Sequence, residues 1–307
     1  MLGPYCELQR LIEARYAANK LKLNQRRRAL SMLAGPNKTN FRGRGIEFEE
    51  VRNYQPGDDI RTIDWRVTAR TGTAHTKIFR EERERPVLVV VDQRRNMFFG
   101  SQTCCKSVLA SHIAALISWS SLQNGDRVGG LVFNGGEHRE VRPRRSRRSV
   151  LALLNHLCEF NHQLPNESGD EVFSFEDVLV DLRRIAKPGC AIFIISDFTD
   201  ALQESAMEHI YQLSRHMEIT AIHCSDPLER ALPRAGRYTV TNGTERTDLL
   251  TGKAALGSSF SDRFDNFLSE LRSSYRKLGI PVIEASTDQS PLLLLQSYYA
   301  NAGRARR

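Results

Sequence analysis

Two apolar runs without a polar interruption constrain this 307-residue chain most: "VLVVV" at 87–91 and "CAIFIIS" at 190–196, each followed by an aspartate. A strand with one wet face alternates apolar and polar residues. A run without alternation is buried on both faces, as in a parallel sheet covered by helices. The intervening sequence supplies those helices. Residues 105–123 carry Leu109, Ile113, Leu116 and Ile117 at helical spacing and close on "NGD". Residues 149–160, 175–187, 202–217, 262–278 and 290–301 also read as helices, with 175–187 stopped by Pro188-Gly189 and 262–278 expected to be capped by Ser261 and stopped at Gly279. Further strands are expected at 127–135, 218–225 and 280–287. The fold class is therefore α/β, with a doubly wound, mostly parallel sheet built from right-handed crossovers. Residues 228–252 break the alternation; "TNGT" within them is a hairpin signal, so they read as an antiparallel excursion.

Ligands of such sheets sit at the carboxyl ends of the strands. Asp92 and Asp197 both fall there and are expected to converge. Immediately after Asp92 come Arg94, Arg95 and Asn96, an odd setting for a cation site.

The first 85 residues follow another pattern. Residues 1–40 form a helix-prone segment, 41–85 a charge-dense segment, and 86–303 the α/β domain. The formal net charge is +8, and residues 1–85, with 18 Lys and Arg against 11 Asp and Glu, hold most of it. A second basic cluster, "REVRPRRSRR" at 139–148, contains Arg142, Arg144, Arg145, Arg147 and Arg148 and reads as a basic loop. Without interleaved aromatics or a nucleic-acid-binding motif, it fits an acidic protein partner or a solvated loop better than nucleic acid.

Six cysteines lack C-x-x-C or zinc spacing and read as reduced thiols. No run is apolar enough to span a membrane and no signal-peptide pattern opens the chain, so a cytoplasmic protein is the expectation. There is no P-loop, no G-x-S-x-G elbow and no H-E-x-x-H, and His223 reads as a core or edge histidine rather than a base. A non-enzymatic protein is expected.

One stretch is more specific. Gly43, Gly45, Glu47 and Phe48 are followed by Arg52, Tyr54, Pro56, Gly57, Asp58, Asp59, Arg61, Ile63, Asp64, Trp65, Ala69 and Arg70. This pattern, with the strand that ends at Asp92, resembles the "domain of unknown function 58" family over residues 20–300. Read as side-chain chemistry alone, the segment is an ion-pair lattice anchored by Trp65, or a partner-binding epitope. The resemblance implies a von Willebrand factor A-like domain and a MoxR-type AAA+ ATPase as partner, with the chain an adaptor or chaperone partner. Such domains often hold Mg²⁺ through D-x-S-x-S, a threonine and a later aspartate, leaving one coordination place for a partner's carboxylate. The matching positions here are Asp92, Arg94, Asn96, Ser174 and Asp197. Both carboxylates remain, but Arg94 brings a fixed charge and no lone pair. The expectation is a degenerate site, free of metal and filled by Arg94 paired with Asp92 or Asp197. The alternatives are a Mg²⁺-dependent carboxylate-binding module and, further off, a metal-dependent hydrolase or a nucleic-acid binder.

Overall fold

The computed structural model describes residues 3–21, 23, 46–56, 58–81, 86–164, 173–241, 246–251 and 254–304. Gly43, Gly45 and Gly57 of the signature, and residues 242–244 of the "TNGT" turn, lie outside them. The chain divides into two compact units, Met32–Glu84 and the remainder.

The larger unit is a six-stranded sheet. Its strands are β3 (Pro86–Asp92), β4 (Arg127–Phe133), β5 (His138–Arg144), β6 (Ala191–Ser196), β7 (Glu218–Ser225) and β10 (Val282–Ser286), in the order β10-β7-β6-β3-β4-β5. All pairs are parallel except β4 with β5. The period of two sorts each strand's side chains between two cores. Val87, Val89 and Val91 face one core with α1 (Leu8–Ala18), α3 (Lys106–Gln123), α4 (Arg147–Gln163) and α9 (Pro291–Arg304). Leu88 and Val90 face the other with α5 (Phe175–Ile185), α6 (Glu204–Ser214) and α8 (Ala254–Lys277). Each fully buried valine contributes roughly 2 kcal/mol through apolar area removed from water. Burial on both faces is why these strands carry no alternation. At Gly130 of β4 a Cβ would lie 2.3 Å from the Val89 carbonyl oxygen of β3, so glycine is required here, and Leu153 of α4 packs over the bare backbone.

Helix α1 belongs to this unit rather than to a separate segment: Leu11 is buried, and Trp119 Nε1 donates to its carbonyl at 3.0 Å. Two local expectations are corrected. Ser261 lies inside α8, donating its hydroxyl to the Arg230 carbonyl at 2.8 Å, because the helix already begins at Ala254. The basic run 139–148 is no loop. It forms most of the edge strand β5 and the start of α4, with Ser146 as N-cap accepting from Ser149 N at 3.2 Å. Val141 faces the core, while the surrounding arginines are solvent-facing. Strands β8 (Arg237–Thr241) and β9 (Arg246–Leu250) form the antiparallel hairpin, preceded by the short helix α7 (Pro227–Arg230). Among the described residues, no helix is long and apolar enough to cross a membrane.

The smaller unit pairs β1 (Ile46–Asn53) antiparallel with β2 (His75–Glu81). Between them lie a 3₁₀ turn (Ile60–Thr62) and α2 (Trp65–Thr71), which ends at Gly72 with φ +74°.

Candidate functional site

From β3 the chain first moves to β4 and β5 on one side, then returns to β6 on the other. The switch point therefore lies at the carboxyl ends of β3 and β6, where a crevice forms in sheets of this kind. Asp92 ends β3 and is completely buried, and Ser196 ends β6 and donates to Asp92 Oδ2 at 2.7 Å.

Arg94 folds back over Asp92. Its backbone N–H donates to Asp92 Oδ1 at 2.9 Å, and its guanidinium reaches Oδ1 and Oδ2 at 2.9–3.2 Å through Nε and Nη2. The other edge of the fork holds Asp200, with Nη1 to Oδ2 at 2.7 Å and Nη2 to Oδ1 at 3.0 Å. The guanidinium also lies 5.5 Å from the centre of the Phe133 ring. One planar cation thus joins two carboxylates bidentately, the geometry that suits arginine and not lysine. Asp200 additionally accepts from Phe175 N, at the start of α5, at 3.2 Å.

A second cation stands beside the first. Lys106 opens α3 and is 2% exposed. Its ammonium donates to Asp197 Oδ2 at 3.1 Å and to Glu229 Oε1 at 2.6 Å. So Asp92 and Asp197 do converge, but Arg94 pairs with Asp92 and Asp200, and Asp197 is taken by Lys106. Sequence reasoning missed Lys106 and Glu229. Burial raises the Asp92 carboxyl above its ordinary value, opposed by Arg94. Burial would raise Asp197 too, but Lys106 outweighs it and holds this carboxyl below the usual range.

The turn after β6 is strained. Phe198 has φ +58°, uncommon for an aromatic residue and costing on the order of 1–3 kcal/mol. Its ring is fixed edge-on against Phe175 and Tyr275, both at 5.8 Å, and its N–H donates to Ser196 Oγ at 3.0 Å. This bend separates Asp197 from Asp200, so that each serves a different cation.

His223, near the end of β7, is buried with Nδ1 lacking a hydrogen-bond partner. Burial lowers it to about 4, so it is neutral at pH 7. A depressed histidine contributes stability that is fully present above its unfolded value near 6.5 and is lost as pH falls toward 4. We expect His223→Phe to remove up to about 3 kcal/mol of acid destabilisation between those limits. Urea unfolding of both proteins at pH 7 and pH 5 reads the difference; equal pH slopes would contradict a neutral buried His223.

The residues present do not fit a divalent ion, which requires about six hard oxygens. Both Asp92 oxygens are already saturated by donors. Ser174 spends its hydroxyl on the cap of α5, bonded to Asp177 Oδ2 at 2.7 Å and accepting from Asp177 N at 3.2 Å. Asn96 is exposed. Among the described residues, no group of three or more His, Cys, Asp or Glu side chains is arranged to hold a metal.

The signature residues serve mainly as local locks in the smaller unit. Arg52 pairs with Asp58 at 2.8 Å, Asp58 Oδ2 accepts from Gln55 N at 3.0 Å, and Tyr54 Oη donates to the Asp58 carbonyl at 3.3 Å. Asp59 accepts from Arg61 N at 3.0 Å, while Asp64 caps α2 through Arg66 N and Val67 N and pairs with Lys77 at 3.5 Å. Ion pairs and backbone caps are thus mixed here: Asp58 pairs with Arg52, Asp64 both pairs with Lys77 and caps α2, and Asp59 caps the 3₁₀ turn. Trp65, expected as an apolar anchor, is instead 68% exposed, and the side chains of Arg61 and Arg70 also face solvent. In the larger unit, Arg142, Arg144, Arg145, Arg147 and Arg148 are exposed. The structure does not bring them into the crevice.

Comparison with known proteins places these observations. An uncharacterized protein of Mycobacterium tuberculosis is 28% identical over 291 residues, covering 94% of this chain and 89% of its own. Two solved structures share 12% identity with this chain: the conserved hypothetical protein BatB from Bacteroides thetaiotaomicron (TM-score 0.41; 72% of this chain, 99% of that one) and a von Willebrand factor type A protein from Catenulispora acidiphila (TM-score 0.39; 75% and 44%). The family described as "Protein of unknown function DUF58" matches residues 50–264, well over half of the sequence, and the chain belongs to that family.

Proposed function

We propose that the larger unit is a metal-independent protein-binding module of the von Willebrand A type. Arg94 and Lys106 supply fixed positive charge where an adhesion domain of that type places a divalent ion. The observation that carries this reading is the Arg94 fork, bidentate to both Asp92 and Asp200. It supports a rigid, preorganised surface at the carboxyl ends of β3 and β6, where Arg94 ties up both Asp92 and Asp200. The partner suggested by the family resemblance is a MoxR-type AAA+ ATPase, for which the chain acts as an adaptor.

A bound ion would stabilise the fold by RT ln(1 + [L]/Kd). The melting temperature is therefore expected to stay unchanged up to about 10 mM MgCl₂ or MnCl₂. An AAA+ ATPase is expected to co-purify from the native host equally well with and without EDTA. A metal-dependent rise in melting temperature, or a complex lost in EDTA, would overturn metal independence. Repeated recovery without any AAA+ ATPase would overturn the partner.

A further inference from the structure

Beside the Lys106–Asp197 pair lies a cavity of about 310 Å³, at the low end of the size range of small-ligand pockets. One wall is a stripe of α8: Phe260, Arg263, Phe264 and Phe267, whose spacing of three and four residues puts them on one helix face. His223 forms the opposite part of the lining, with the rings of Phe264 and Phe267 at 6.1 and 6.0 Å. None of these groups belongs to the Arg94 fork.

Three features define a ligand. The phenylalanines offer an apolar slot to a ring. The imidazole of His223, 3% exposed, lines the cavity and makes no hydrogen bond among the described residues, a costly state for a buried polar ring. Arg263 is exposed at the cavity and has no carboxylate partner among the described residues. The charged part of the lining adds an orientation. Among the lining residues Asp197 and Glu229 outnumber Lys106, so an anionic group is repelled from that side and drawn to Arg263.

We propose that this cavity binds an aryl carboxylate with a hydrogen-bonding group at the far end of its ring, the carboxylate on Arg263, the ring between the phenylalanines and the far polar group on His223. A free hydroxyaryl acid and the C-terminal tyrosine of a polypeptide share this chemistry. The site does not depend on how the Arg94 fork is read, and it is tested separately.

The full chain, labelled with ¹⁵N, is titrated with 3-(4-hydroxyphenyl)propionate while the His223 ring signals are followed. N-acetyl-glycyl-tyrosine and its C-terminal amide form a second arm, and tyramine, with an amine for the carboxylate, a third. The expected result is saturable movement of His223 with the free acids. The amide and tyramine should bind about tenfold more weakly or not at all. Arg263→Gln, an exposed substitution that should not disturb folding, should weaken the acids by about the same factor. Preference for the peptide acid assigns the site to a chain terminus; preference for the propionate assigns it to a small molecule. No saturable movement up to about 10 mM, tyramine binding as well as the acid, or an Arg263→Gln protein that binds normally would each overturn the proposal.

Discussion

Arg94→Met is expected to destabilise the larger unit by about 3–5 kcal/mol, the usual cost of removing one partner from a buried ion pair. The size follows from what is left behind. Asp92 is fully buried, and among the described residues its only charge partner at hydrogen-bonding distance is this guanidinium. Ser196 and the Arg94 backbone N–H can still donate to it, but neither brings charge. Asp200 is better placed to recover, because its side chain is 23% exposed and can take up water. Adding Asp92→Asn to Arg94→Met should therefore restore a large part of the loss. Urea unfolding followed by the fluorescence of buried Trp119, in a Trp65→Phe background, measures all three proteins. An Arg94→Met protein within about 1 kcal/mol of the parent would mean that the fork does not hold the two loops together.

Lys106→Met should cost a comparable amount, again about 3–5 kcal/mol, with a distinctive pH dependence. Burial works against the ammonium, but Asp197 and Glu229 prevail and raise it above its ordinary value. Its contribution is then fully present below the unfolded lysine value near 10.4 and is lost as pH rises through the folded one. Asp197 has the opposite sign: depressed in the fold, it contributes above about pH 4 and loses that contribution as pH falls through its folded value. The stability gap between parent and Lys106→Met should be widest between those limits and narrow on both sides. A gap independent of pH would assign the loss to packing of the lysine stem instead.

The central sheet was legible because burial on both faces leaves so strong a mark on β3 and β6. Asp92 and Asp197 were legible for the same reason, as the first charged residues after an apolar run. Their partners were harder. Asp200 lies in the turn set by the strained Phe198, Glu229 in the four-residue helix α7 as part of its capping box, and neither shows in a periodicity. Lys106 did leave a signal that went unread: it is the only Lys, Arg, Asp or Glu in α3, and it sits at a helix N-terminus, where a cation is unfavourable without a carboxylate. Ser174 was misread because two roles compete for one hydroxyl. Its spacing to Asp177 is that of a capping box, and the local bond won. The basic run was read as a loop because its arginines and Pro143 hid the one residue that fixes it as a strand, the inward-facing Val141.

The Arg94 fork has a bearing on control. A metal ion is exchangeable: its occupancy follows the supply in the surroundings, and a chelator can empty its place. A guanidinium is covalently part of the chain and keeps its proton throughout the pH range in which the fold survives. The positive charge between β3 and β6 is thus present in every copy at all times, at a concentration equal to that of the protein itself. Anything that turns this surface on or off has to act on the two aspartates or on the turn that carries Phe198.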